Sequence, residues 1–443
     1  MTTLQRLRAD AREVFAAGVR SADPAAAVTR ALHVGKDRLR VGERSYAWSS
    51  IRKLFIAGCG KAGAPMARAA LEILGEKVAG GVVVVKYGHK LPLEKIEVIE
   101  AGHPIPDSAG LHGAHRLMDL ARRCGGEDLL LFLLSGGGSA LFPCPAAGLS
   151  LEDKQQTTDA LLKSGATIHE VNAVRKHISQ VKGGRLAQLA APARLIALIL
   201  SDVVDDAPEA VGSGPTAPDH TTYADCLQII QRYSLGQRLS PAILDFLQSG
   251  ARQEIAETPK HWDRVFENVQ NVIIGNNRTA LLTARERAEA LGYHALVMPE
   301  AMQGESRVVA KSHAAFVKDV IRTGKPVSPP VCLLAGGETT VTVVGGGLGG
   351  RNQEFALAAA TAIENVDGVV ILSGGTDGTD GPTEAAGGIV DGSTTLRGKA
   401  KNLDPQKYLA RNDSYHFLLA TDDLLITGPT LTNVMDLQIT LIA

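Results

Sequence analysis

Net charge is almost absent: 46 Lys and Arg face 47 Asp and Glu, a formal balance of -1. No global field therefore draws the protein to nucleic acid or to an anionic membrane, and a small-molecule partner is favoured. Paired cysteines are absent too. Cys59, Cys124, Cys144, Cys226 and Cys332 are scattered and form no CxxC, which disfavours a disulfide framework and a zinc site and predicts reduced, buried thiols in a cytoplasmic setting. The longest apolar runs, Leu129–Leu134 and Leu195–Leu200, fall well short of the roughly 20 residues that span a bilayer. No membrane segment is expected. There is no GxSxG elbow, no HExxH helix and no Walker GxxxxGK[ST] loop, so hydrolase and zinc-enzyme readings are poor.

What is present suits a compact enzyme. At 443 residues the chain exceeds one ordinary core, since single cores stop growing near roughly 250 to 300 residues. With 45% hydrophobic residues and 47 glycines, it fits two ordered domains with many strand-to-helix turns. The N-terminus places Leu4, Leu7, Ala11, Phe15 and Val19 near helical spacing. Asp10 and Glu13 interrupt its basic face, so we read a structural helix rather than a transit peptide.

Short apolar runs alternate with helical patterns: KLFIAG, GGVVVVK, DLLLFLLS and RLIALILS. Continuous hydrophobicity implies strands buried on both faces, as in a parallel sheet covered by helices. The first half therefore reads as a Rossmann-like, doubly wound α/β/α layer over residues 1–255. The polar helical stretch between Asp219 and Trp262 reads as the connection. Residues 256–443 give a second α/β/α domain, whose ETTVTVV alternation before a glycine turn predicts an antiparallel pairing and a mixed sheet.

Several loops carry candidate chemistry. In LFIAGCGKAGAPMARAA a strand runs into Gly58, Gly60 and Gly63 and then a helix. The GxGxxG spacing alone is weak, and the following strand ends in Lys86 where the ribose acid of an NAD site would stand. Lys61, inside a glycine turn at a helix start, points instead to a phosphate or carboxylate; a surface lysine is the plainer reading. DLLLFLLSGGGSAL empties into Ser135, Gly136, Gly137, Gly138 and Ser139, a loop able to form an amide nest or merely a sharp turn. The segment from Ile168 to Ala190 carries Asn172, Arg175, Lys176, Lys182 and Arg185, either a phosphate-facing or a solvated surface. Asp202, Asp205 and Asp206 follow a strand, where ligands bind in open α/β sheets, and Asp202 suits a base or metal ligand best. Arg351 follows a glycine run and opens a helix, and Asp377 and Asp380 follow another strand. Glycine loops, isolated cations and carboxylates after strands are the parts of phosphoryl transfer, with magnesium the fitting ion.

The ordered segments GCGKAGAPMA, AGHPIPD, LLSGGGSAL, SDVVDDAPEAVGSGPTAPD, AGGETTVTV, GGRNQE and SGGTDGTDGPTEAAG resemble the motifs of the two-domain glycerate kinases, from about residue 50 to residue 390. Val204 stands where that family usually has Gly. The resemblance implies ATP- and Mg²⁺-dependent conversion of D-glycerate to 2-phosphoglycerate in a cleft between two α/β domains, the second a leucine-rich module. It implies Lys61 and Arg351 as the leading catalytic cations and Asp202 and Asp377 as candidate base or metal ligands, Asp202 being the catalytic candidate of the two; the glycine loops and cationic segment add Gly60, Ser135, Gly136, Gly137, Gly138, Ser139 and Arg175 as expected substrate or phosphate contacts. A homodimer is a candidate assembly. The alternatives are an NAD(P)-dependent hydroxypyruvate reductase and a non-catalytic sugar-acid binder.

Overall fold

A computed structural model describes residues 2–443. They form two compact units, residues 24–274 and residues 2–23 with 275–443. The expected division at 255/256 is thus corrected twice. Residues 256–274 stay with the first unit because their strand completes its sheet. Helix Thr3–Ser21 joins the second because its apolar stripe of Leu7, Ala11, Val14 and Phe15 is buried there, against helix Asn277–Ala290 and the sheet.

The first unit opens with a small antiparallel sheet, β1 (Leu32–Val34), β2 (Arg38–Val41) and β3 (Arg44–Ala47). Its main sheet contains β4 (Leu54–Cys59), β5 (Val78–Lys86), β6 (Ile96–Ala101), β7 (Leu129–Leu134), β8 (Arg194–Leu200) and β9 (Val269–Gly275). The order is β6-β5-β4-β7-β8-β9, and β6 through β8 are parallel. Every residue of β7 is buried, as an uninterrupted apolar run in a central strand requires. Helix Gly63–Leu74 covers one face; Ser108–Arg122 and Arg185–Ala190 cover the other. The doubly wound expectation holds. The polar helical stretch expected to be a connection is instead part of a satellite bundle. Helices Leu151–Lys163, Ile168–His177, Tyr223–Arg232 and Pro241–Ala251 bury Leu161, Val174, Tyr223 and Ile243 together.

The second unit contains β10 (His294–Val297), β11 (Met302–Glu305), β12 (Val331–Thr340), β13 (Val369–Gly375), β14 (Gly387–Asp391), β15 (Leu424–Leu425) and β16 (Asp436–Ile442). Their order is β10-β12-β16-β13-β14-β15, with β11 also on β12. β10 and β11 run parallel to β12 and the remaining pairs are antiparallel, so the sheet is mixed. The antiparallel partner of β12 is β16, from Val331↔Ile442 to Gly337↔Asp436. Much of the Thr/Val run that suggested the pairing lies beyond the strand, which ends at Thr340. Leu437 faces helix Thr3–Ser21; on the opposite face Thr440 Oγ1 bonds His313 Nε2 of helix Ser306–Thr323 at 2.8 Å. Helices on both faces give three layers.

Candidate active site

The loops after β4 and β7 lie side by side where the connections of the sheet diverge: β4 leads outward to β5, whereas β7 leads to β8 on the other side. Such a switch point at the carboxyl edge of parallel strands is where open α/β sheets bind ligands. Three hydrogen bonds join the two loops. Ser135 N–H donates to Cys59 O at 3.2 Å, Lys61 N–H to Gly136 O at 2.9 Å, and Ala62 N–H to Ser135 Oγ at 3.0 Å. Gly60 has φ +131°, and a Cβ there would sit 2.2 Å from Ser135 Oγ, so only glycine permits this approach. The buried Ser135 hydroxyl holds the loops together. Among the described residues the N–H groups of Gly136 and Gly137 take no protein acceptor, leaving them directed at whatever fills the turn.

Two supports fix the rest of the loop. Lys182, fully buried, donates to Gly212 O at 3.0 Å and lies 3.5 Å from Gly138 O. Burial, with the like charge of Arg175 adding to it, pushes the Lys182 ammonium down to about 7. Ser139 Oγ lies 2.8 Å from Ser213 Oγ, which donates to Asn172 Oδ1 at 3.1 Å. Because the Ser213 proton is committed to Asn172, Ser139 is the donor of the first bond.

Asp202 lies just beyond β8 and is partly buried. Desolvation pushes its carboxyl up to about 6, while the charge of nearby Lys61 acts in the opposite direction. Val204 is 42% exposed and has no left-handed backbone, so a side chain where the family usually has Gly projects outward without strain.

The expected cationic surface from Asn172 to Arg185 does not exist as one face. Lys176 pairs with buried Asp219 at 3.3 Å, Lys182 is committed to carbonyls, and Arg185 bonds Tyr223 at 3.3 Å. The turn between helices Ile168–His177 and Arg185–Ala190 separates them. Arg175 alone enters a small pocket, about 190 Å³, with His103, Gly137, Ser139, Lys154 and Thr158. Lys154, on helix Leu151–Lys163, is not singled out by any motif of the sequence.

The second unit has its own cavity of about 520 Å³, bordered by Glu338, Gly349, Gly350, Arg351, Asp380 and Asn412. Arg351 does not stand as an isolated cation. It donates through Nε to Asp436 Oδ2 at 2.6 Å and through Nη2 to Oδ1 at 2.9 Å, and its Nη1 is 2.9 Å from Glu338. Burial opposes its charge, but the Asp436 bonds and the two carboxylates raise the guanidinium pKa above its ordinary value. The helix start that was expected to receive an anion is already occupied by Asp380, which accepts from Asn352 N–H at 3.1 Å and Gln353 N–H at 2.9 Å. Burial pushes the Asp380 carboxyl up to about 6. Asp377 closes its own turn, accepting from Thr379 N–H at 3.1 Å. Nothing in the segment VMDLQI marked Asp436 as the partner of Arg351.

Two family profiles match the chain, the first running across residues 10–23, which pack with the second unit. A profile described as a domain of unknown function (DUF4147) matches residues 10–248, and one described as the MOFRL family matches residues 331–436. A D-glycerate 2-kinase of Thermotoga maritima is 46% identical over 394 residues, covering 89% of this chain and 91% of that protein. The chain belongs to the glycerate kinase family. A putative hydroxypyruvate reductase of Agrobacterium vitis is 43% identical over 389 residues, covering 87% of this chain and 98% of its own length. The crystal structure of a Thermotoga maritima glycerate kinase superposes with a TM-score of 0.86 at 42% identity, covering 99% of this chain and 100% of that one. Within the family frame, the Lys61 turn, the Ser135–Ser139 loop and Asp202 all belong to the first unit, and Arg351 and Asp377 to the second.

Proposed function

We propose that this glycerate kinase family member transfers the terminal phosphoryl group of ATP to the 2-hydroxyl of D-glycerate. The observation that carries the proposal is the proximity of Lys61 and Asp202 at the switch point of the sheet. A carboxyl pushed up to about 6 is still mainly ionised at neutral pH, yet basic enough to take a proton from an attacking hydroxyl. Lys61 and the Gly136 and Gly137 amides would face the negative oxygens of the transferring group. Asp202 takes the hydroxyl proton, the freed oxygen bonds to the terminal phosphorus, and ADP leaves with the electrons of the broken bond. Arg351 is the candidate cation of the second unit, with exposed Glu338 the partner able to release it.

Magnesium fits this chemistry. It is held chiefly by substrate phosphates and needs only one or two protein carboxylates. Asp202 and Asp377 are each candidates to hold it, and when bound it would neutralise charge on the phosphates. A reductase is disfavoured because β5 ends in Lys86 rather than an acid for the nicotinamide ribose. The five cysteines, all buried and free, suit the reducing cytoplasm in which we place the enzyme.

Proton-coupled phosphorus NMR of the product from ATP, Mg²⁺ and D-glycerate tests the assignment. Phosphate on the 2-oxygen splits with one carbon-bound proton, giving a doublet; phosphate on the 3-oxygen splits with two, giving a triplet. A triplet, or no new ester, overturns the proposal.

A further inference from the structure

The pocket holding Lys154 and Arg175 belongs wholly to the first unit and has an unusual charge balance. Its lining contains no acidic side chain. Lys154 is only 3% exposed, and its Nζ donates to a carbonyl, Arg175 O, at 3.4 Å. Arg175 forms no ion pair with any described residue. Behind them lies a third buried cation, Lys182, bonded to carbonyl oxygens.

Burying Lys154 beside a half-buried Arg175 without a counter-charge is costly, and proteins rarely retain the arrangement unless something else supplies the negative charge. Burial, then the charges of Lys182 and Arg175, lowers the Lys154 ammonium pKa well below its ordinary value. Desolvation alone lowers that of Arg175. No carboxylate opposes either effect, so both groups lack the partner that buried cations normally have.

We propose that Lys154 and Arg175 form the carboxylate-recognition subsite of the enzyme and set its selectivity for hydroxy acids over neutral polyols. This rests on the kinase reading and deepens it. The volume of about 190 Å³ suits a small acid, being below the roughly 300 Å³ at which pockets for larger ligands begin. Position supports the same assignment. Gly137 lines the pocket, and a Cβ on it would lie 3.0 Å from His103 and 3.3 Å from Lys61 Cγ, so the pocket adjoins the Lys61 turn. In a 2-hydroxy acid a single carbon joins the carboxyl carbon to the hydroxyl oxygen. A carboxylate held by Lys154 and Arg175 therefore presents the 2-hydroxyl, rather than the 3-hydroxyl, toward Lys61 and Asp202.

The test uses the full chain, Lys154→Met and Arg175→Lys. Kinetics, with D-glycerate and ATP each varied at a saturating level of the other, are paired with thermal unfolding, with and without D-glycerate. Loss of a charged hydrogen bond should raise KM for D-glycerate by roughly 10- to 150-fold with kcat changed only a few-fold. Arg175→Lys keeps the charge but loses the fork, and should fall between parent and Lys154→Met. Without ligand, Lys154→Met should melt at or above the parent temperature, because an unpaired buried cation is gone. D-glycerate should raise the melting temperature of the parent but not of this variant. If the parent phosphorylates D-glycerate and both variants keep its KM, the subsite is overturned while the kinase reading stands. An increase confined to the KM for ATP also overturns it, assigning the pocket to nucleotide phosphate. If the parent has no kinase activity, the kinase reading fails; the melting shift then decides the subsite alone, and its persistence in Lys154→Met overturns it.

Discussion

Arg351 grips Asp436 with two hydrogen bonds, of 2.6 and 2.9 Å, and Asp436 is fully buried at the first position of β16. The pair joins the start of helix Arg351–Ala362 to the sheet beneath it. Removing only the cation leaves a buried carboxylate without its counter-charge. Arg351→Ala should therefore destabilise the protein by about 3–5 kcal/mol, as well as lowering turnover. Asp436→Asn in the same background should recover part of the stability but none of the activity. Denaturant titrations of the parent and the two variants measure this, and an Arg351→Ala stability equal to the parent would contradict it.

Asp202 gives a pH prediction whose sign is fixed. Its folded carboxyl is raised to about 6, and the base must be ionised. Turnover should fall tenfold per pH unit as pH drops below about 6, and be flat just above. Asp202→Asn should cost on the order of 100- to 10,000-fold and abolish that acidic limb. A profile of kcat against pH for both proteins is the measurement.

Lys61 should act in two ways. Lys61→Met should lower kcat on the order of 100- to 1000-fold, as loss of a preorganised donor at developing charge does. Its charge also favours the ionised form of Asp202, so the acidic limb of the residual activity should move to higher pH. A limb that stays in place would show that the two groups do not interact.

Gly60 is a backbone prediction. An added Cβ would stand 2.2 Å from Ser135 Oγ and 2.6 Å from Ser135 O, on a residue at φ +131°. Strain of this kind costs roughly 1–3 kcal/mol before the clash is counted. Gly60→Ala should lower both melting temperature and turnover. Gly88→Ala, also at positive φ but with nothing within 4 Å, should lower only the melting temperature, and by less.

The architecture was legible wherever one signal dominated. LLLFLL could only be a strand buried on both faces, and the glycine turns after β4 and β7 announced themselves by composition. Pairings between distant segments were not legible. Asp436 sits 85 residues from Arg351, and no local pattern tells a helix-opening arginine which carboxylate it will meet. Asp380 took the helix N-terminus intended for a ligand, a substitution of internal for external anion that spacing cannot reveal. Lys154 was hidden because a polar helix reads as solvated until the satellite bundle that buries it is known. The boundary fell short of residue 274 because a lone strand after a helical stretch does not say which sheet it joins, and the N-terminal helix was assigned to the wrong unit because the second unit is discontinuous in sequence.

That discontinuity orders events during synthesis. The helix Thr3–Ser21 is translated before residues 24–274, yet the surfaces that bury Phe15 and Leu7, helix Asn277–Ala290 and strands β13 and β16, are translated after them. Residues 24–274 can complete their sheet while the leading segment is still waiting with its apolar stripe uncovered. Damage to this helix would consequently surface as a defect in the carboxyl-terminal half of the protein, and chaperones would meet its uncovered stripe before the surfaces that bury it are made.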